Sequence, residues 1–146
     1  MIDIGKKLRT GYFSLLNGNI TIDGSPIPIV DEKLDALITD HDIYVVMSDQ
    51  NERRIPNKTK FIANCDMSFI IVNKRNATAS KEVVEEVSNQ LLGLVFPTVA
   101  NVAVSVEAPL RLSDAYLDSA DYAPIDQMQD GFAITKTLII KNTISQ

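Results

Sequence analysis

The chain has 146 residues, 45% of them hydrophobic, and a formal charge of -5, so one core of ordinary size suffices and broad adhesion to DNA or an anionic membrane is disfavoured. Its single cysteine, Cys65, excludes an internal disulfide and any multi-cysteine metal site. No early apolar run marks a signal peptide and no stretch approaches the ~20 apolar residues of a membrane span, so a soluble domain covering 1–146, made in the cytoplasm, is expected.

In chain order, Ile4, Leu8, Tyr12 and Leu15 form an apolar stripe at helical spacing, with Lys6, Lys7 and Arg9 off it. Asn17-Gly18 ends this helix, and Ile20-Thr21-Ile22 followed by Asp23-Gly24 predicts a tight hairpin. The returning segment 25–30 carries Pro26 and Pro28, which lack amide donors and belong at a sheet edge. The run 31–42 is compatible with a helical turn or a loop. Ile43 to Met47 is a short β-branched strand, and 48–59, with Ile55 as its one large apolar residue, is a solvated loop or protruding hairpin tip.

The clearest pattern runs from Lys60 to Val95. Phe61, Ala63, Cys65, Met67, Phe69 and Ile71 alternate with polar residues as in a half-buried strand. From Ser80 the period changes, and Val84, Val87, Leu91 and Leu94 share a helical face that Phe96-Pro97 brings to an end. Val99 to Val106 alternates weakly and predicts a further strand before Pro109. Residues 113–130 hold Asp114, Asp118, Asp121, Asp126 and Asp130 without a lysine or arginine, and are expected to form a polar contact surface. Phe132, Ile134, Leu138, Ile140 and Ile144 share a parity and predict a C-terminal strand. The fold class is therefore α+β: a mixed, mostly antiparallel sheet covered on one face by two helices, with a long polar loop and a Pro-rich edge hairpin.

Little in the sequence points to catalysis. His41, between Asp40 and Asp42, reads as an exposed turn, since three successive residues in a regular element do not converge on one ion. The aspartates at 114, 118 and 121 miss the calcium-loop spacing, Cys65 reads as core, and Glu85-Glu86 as a solvated helix face. No Gly-rich phosphate loop is present. The protein is expected not to be an enzyme and to need no cofactor or metal. The informative charges are Arg53, Arg54, Lys58 and Lys60 on one segment and Asp114, Asp118 and Asp121 on another. Unlike patches on one chain permit a head-to-tail interface between identical subunits, which closes into a ring when its rotation allows.

The segment Leu8-Arg9-Thr10-Gly11-Tyr12-Phe13-Ser14-Leu15-Leu16, then Ile27-Pro28-Ile29-Val30-Asp31-Glu32 and the helix from Glu82 to Leu94, in this order of elements, resemble the tail terminator, or tail completion, family of long-tailed bacteriophages. The second segment is similar to that family's "P-V-Y-D" stretch, with Val30 where an aromatic residue is common; segment 113–130 is longer than the family's. The resemblance implies a structural virion protein in the neck, assembled in the host cytoplasm. It would form a homo-oligomeric ring, most often a hexamer, at the head-proximal end of the tail tube. Its partners would be the tail tube protein and a head completion or connector protein, with DNA passing through without specific binding and a lumen free of Arg53 and Lys58. The alternatives are another neck component, such as a head completion or adaptor ring protein, and a small ligand-binding or regulatory module with Cys65, Met67 and Phe69 lining its pocket.

Overall fold

The structure, a computed structural model, describes residues 3–31, 42–56, 60–74, 80–99, 101–128 and 131–146. Helix α1 (Ile4–Leu16) starts at Asp3, whose carboxylate accepts the Lys6 amide at 2.9 Å, and stops at Asn17 before Gly18, which takes φ 78°. An N-cap carboxylate of this kind satisfies one of the donors that a helix start leaves unpaired. Strands β1 (Thr21–Ile22) and β2 (Ser25–Pro26) form the expected hairpin, with Asp23 and Gly24 at φ 53° and 80°. Two positive φ values are what the turn matching the right-handed twist of a hairpin demands. Strand β3 (Ile29–Asp31) runs parallel to β4 (Ile43–Ile55), and β5 (Ile62–Asn73) follows it. After helix α2 (Ser80–Val95) come β6 (Arg111–Met128) and β7 (Gly131–Ser145).

The main sheet has five strands in the order β3-β4-β5-β7-β6, antiparallel everywhere except between β3 and β4. The fold is the expected α+β arrangement, and β5 is the middle strand. Its odd-numbered residues Ala63, Cys65, Met67, Phe69 and Ile71 are fully buried, against the two helices. From α1 come Ile4, Leu8, Tyr12 and Leu16; from α2 come Val84, Val87, Leu91 and Val95; all are fully buried. Leu15 and Leu94 are only partly buried, so the stripe passes through Leu16 and Val95 instead. Spacings of four follow one ridge of a helix, and that ridge is inclined to the helix axis, so a helix crossing a sheet buries a winding row.

A polar pair, Tyr12 and Asn142, is built into this core. Tyr12 donates its hydroxyl to Asn142 Oδ1 at 2.5 Å, and Asn142 Nδ2 donates to the carbonyls of Cys65 and Ile140, both at 3.0 Å. The buried phenol and amide are thereby satisfied, which burial in an apolar layer requires. A second polar device holds the small hairpin to α2: Gln90 accepts the Thr21 amide at 2.9 Å and donates to the Thr21 carbonyl at 2.8 Å.

Of the two forms expected for 48–59, the described residues take the hairpin: 48–55 continue β4 alongside β5, interrupted by a register shift between Gln50 and Arg53, where Asn51 takes φ 52°. Their composition is polar because residues 51–56 are exposed, which leaves no apolar alternation to show the strand. Of the strand expected over Val99 to Val106, residues 101–106 form none. Beyond a bridge between Thr98 and Asn101, this segment is tied by the Ala103 amide to the Val95 carbonyl at 2.9 Å. Val104 is buried and Val102 and Val106 are half-buried in the core cluster, so the valine alternation reflects packing without strand pairing. The acidic segment, expected as a polar contact surface, is a strand as far as Met128: it lies in β6, which pairs with β7. His41 and Asp130 lie outside the described residues.

Candidate subunit interface

The basic group lies at one edge of the sheet. Strand β3 pairs with β4 only at Val45, Val46 and Met47, so from Ser48 to Ile55 the outer edge of β4 has no strand partner among the described residues. Arg53 and Arg54 sit here, exposed, and Lys60 is exposed just before β5; Lys58 lies outside the described residues. Arg54 Nε is 3.9 Å from Glu52 Oε1, and its guanidinium lies 5.2 Å from the centre of the Phe61 ring. Such solvent-exposed contacts orient a side chain more than they stabilise the fold.

The acidic group lies at the opposite edge. Among the described residues β6 pairs only with β7, and Asp114, Asp118 and Asp121 are exposed along it. Within one chain the two groups are not brought together. Arg53 is in register with Asn64, Asn64 with Thr143 and Thr143 with Asp114, so three strand spacings, about 14 Å, separate Arg53 from Asp114. The middle pair of this row is linked, Thr143 donating to Asn64 Oδ1 at 3.0 Å.

A further cluster has one sequence signal, Lys136 on the otherwise apolar parity of β7. Tyr122 of β6 donates its hydroxyl to Glu85 Oε1 of α2 at 2.8 Å, while the Lys81 and Lys136 ammonium groups lie 4.8 and 5.1 Å from its ring centre. This pins the edge strand to the covering helix, and Glu85 becomes an anchor rather than a merely solvated charge. The Tyr122 phenol is pushed up to about 12, first by desolvation and then by its bond to Glu85 and that carboxylate's charge. Burial raises the Tyr12 phenol as well. Both groups then keep their protons longer in the folded chain than in the unfolded one, where a tyrosine titrates near 10. Their contribution to stability is complete below pH ~10 and is lost as pH rises further. The urea midpoint is expected to stay level from neutrality to pH ~9.5 and fall above ~10, and Tyr122→Phe should make the alkaline fall shallower.

Cys65, Met67 and Phe69 do not line a pocket: they are fully buried beneath the helices. An open groove lies instead between α1 and 103–107, lined by Asp3, Lys6, Thr10, Gly11, Ser105 and Glu107 among others. Lys7 Nζ bonds Glu107 Oε2 across it at 2.8 Å, which holds the Glu107 carboxyl below its usual range. Among the described residues no group of three or more His, Cys, Asp or Glu is placed to hold a metal, and no helix is long and apolar enough to cross a membrane.

Against known proteins, no family model matches the chain and no curated protein does. Among solved structures, it is similar to a chain of the "Virion of native gene transfer agent (GTA) particle", with a TM-score of 0.55 at 12% identity. The likeness covers 97% of this chain and 90% of that one. The fold is one found in a virion. At this identity the likeness is one of backbone architecture.

Proposed function

We propose that the chain is a structural protein of a phage-like virion, a ring-forming subunit at the head-proximal end of the tail tube that ends tube growth and joins the tail to the head connector. The observation that carries this reading is the near-complete, two-way coverage between this fold and a chain of a gene transfer agent virion. Unlike charges on opposite sheet edges add to it, because a ring of identical subunits needs two different, complementary surfaces on each copy. Such a subunit acts through its surfaces: one axial face meets the tail tube, the other the head side, and a net charge of -5 gives the passing DNA little to adhere to. No catalytic step belongs to this role.

Native mass spectrometry of the purified chain, with negative-stain imaging, tests the proposal. A closed ring is expected, one that binds the ends of tail tubes and arrests their elongation. A compact monomer at tens of micromolar would overturn it, and a ring that binds the head connector while ignoring tubes would assign the chain to another position in the neck.

A further inference from the structure

Resting on the ring reading above, we propose that neighbouring copies join edge to edge, the acidic outer edge of β6 in one copy pairing with the basic outer edge of β4 in the next. The main sheet then continues from subunit to subunit, with Arg53 beside Asp114 of the neighbouring copy.

Strand direction comes first. From β4 to β5, β5 to β7 and β7 to β6 every step is antiparallel, and three reversals leave β4 and β6 running in opposite directions. When one such sheet is placed beside a rotated copy, β6 of the first meets β4 of the second antiparallel, so the hydrogen-bonding alternation passes through the junction unbroken. A same-edge pairing lacks the other requirement, complementarity. Two β6 edges would set Asp114, Asp118 and Asp121 against their own kind, and two β4 edges would do the same with Arg53. Like charges directly opposite are destabilising and opposite charges favourable.

Register is the second observation. The unpartnered part of β4, Ser48 to Ile55, occupies the same rows of the sheet as Arg111 to Ser119: Ile55 aligns through Ile62 and Ser145 with Arg111, and Ser48 through Ser68 and Ile139 with Ser119. A copy placed alongside without axial offset therefore sets the row Arg53, Asn64, Thr143, Asp114 end to end with its repeat. The two charged residues, ~14 Å apart within a chain, become cross-strand neighbours between chains. Asp114 and Asp118 form no ion pair with a described residue, and both are exposed, so each is available to a second copy. Strand β6 has three register shifts and no lysine. Bulges and charges can also serve to keep a lone edge from pairing, and the experiment separates that role from the one proposed.

Three variants, Arg53→Glu, Asp114→Arg and the two combined, are compared with the unaltered chain by native mass spectrometry, with circular dichroism to confirm the fold. Each single reversal is expected to raise the concentration at which the oligomer half-dissociates about tenfold or more, and the double variant to recover most of that loss. Added salt should weaken the unaltered oligomer in the same direction. As an independent readout, a chain carrying both Arg53→Cys and Asp114→Cys should form a ladder of disulfide-linked multimers on oxidation. Either cysteine alone should give no ladder; Cys65, fully buried, does not contribute. If the unaltered chain is oligomeric but both single variants match it and no ladder forms, this seam is overturned while the ring reading stands. A monomeric unaltered chain would overturn both.

Discussion

Replacing Phe69 with alanine is expected to cost about 3–5 kcal/mol of folding stability, the range for removing a fully buried aromatic ring. Phe69 is fully exposed to the core and not at all to solvent, in the middle strand, in register with Met47 on one side and Leu138 on the other. Its ring packs tilted against Tyr12 of α1, centroids 5.2 Å apart at 55°, an arrangement worth ~0.5–1.5 kcal/mol beyond the area it buries. Little can collapse into the space, because Met67, Ile71 and Leu138 around it are themselves fully buried and held by the sheet. Against a typical domain stability of about 5–15 kcal/mol, this one ring carries a large share of the total. Urea titration should show a lower midpoint with an unchanged slope, and a loss under about 1 kcal/mol would mean that the core does not converge on β5.

Gly11→Ala is expected to destabilise by about 1–3 kcal/mol, although alanine is the better helix former by nearly 1 kcal/mol. A Cβ built on Gly11 would lie 2.3 Å from the Ser105 carbonyl oxygen, a backbone atom that cannot rotate aside. Either α1 or the segment 103–107 must move, and Val104, whose side chain is 3.3 Å from the same Cβ position, would be drawn out of the core with it. Gly93, on α2, supplies the control, since nothing lies within 4 Å of a Cβ there. Gly93→Ala should therefore stabilise by ~0.5–1 kcal/mol through helix propensity alone. Opposite signs for one substitution in two helices would isolate the close approach of α1 to 103–107 as the cause; equal signs would deny it.

The parts of the fold that could be read in the sequence are those where burial alternates regularly. In β5 the helix-facing residues are fully buried and most of those on the other face are more open, so the odd residues from Ala63 to Ile71 show the strand at once. In β7 the parity of Leu138, Ile140 and Ile144 is interrupted by Lys136 and Asn142. The structure explains both interruptions, as Lys136 lies over Tyr122 and Asn142 bonds Tyr12. A polar residue on an apolar parity was therefore a usable sign of a polar anchor. Strand β6 was illegible as a strand for a different reason. Register shifts after Leu112 and Leu117 each add a residue, so the positions aligned with the helix-facing residues of β7 are Leu112, Ala115, Leu117, Ala120 and Tyr122. Their spacing of three, two, three, two hides the period. The charged groups were visible as unlike patches, but their placement at opposite edges depends on β6 lying beyond β7, a long-range relation that no local pattern carries.

The position of β7 also governs when the molecule can be built. It comes later in the chain than every strand it touches, yet it sits between β5 and β6. As the polypeptide emerges from the ribosome, β5 can gain β4 early, but its second edge waits for residues such as Ile140 and Ile144, and β6 has no partner until they arrive. Such long-range pairings form slowly and leave edges exposed meanwhile. Synthesis of β7 is thus the step that completes the sheet, and nascent chains short of it lack the strand that holds the acidic edge, β6, in place.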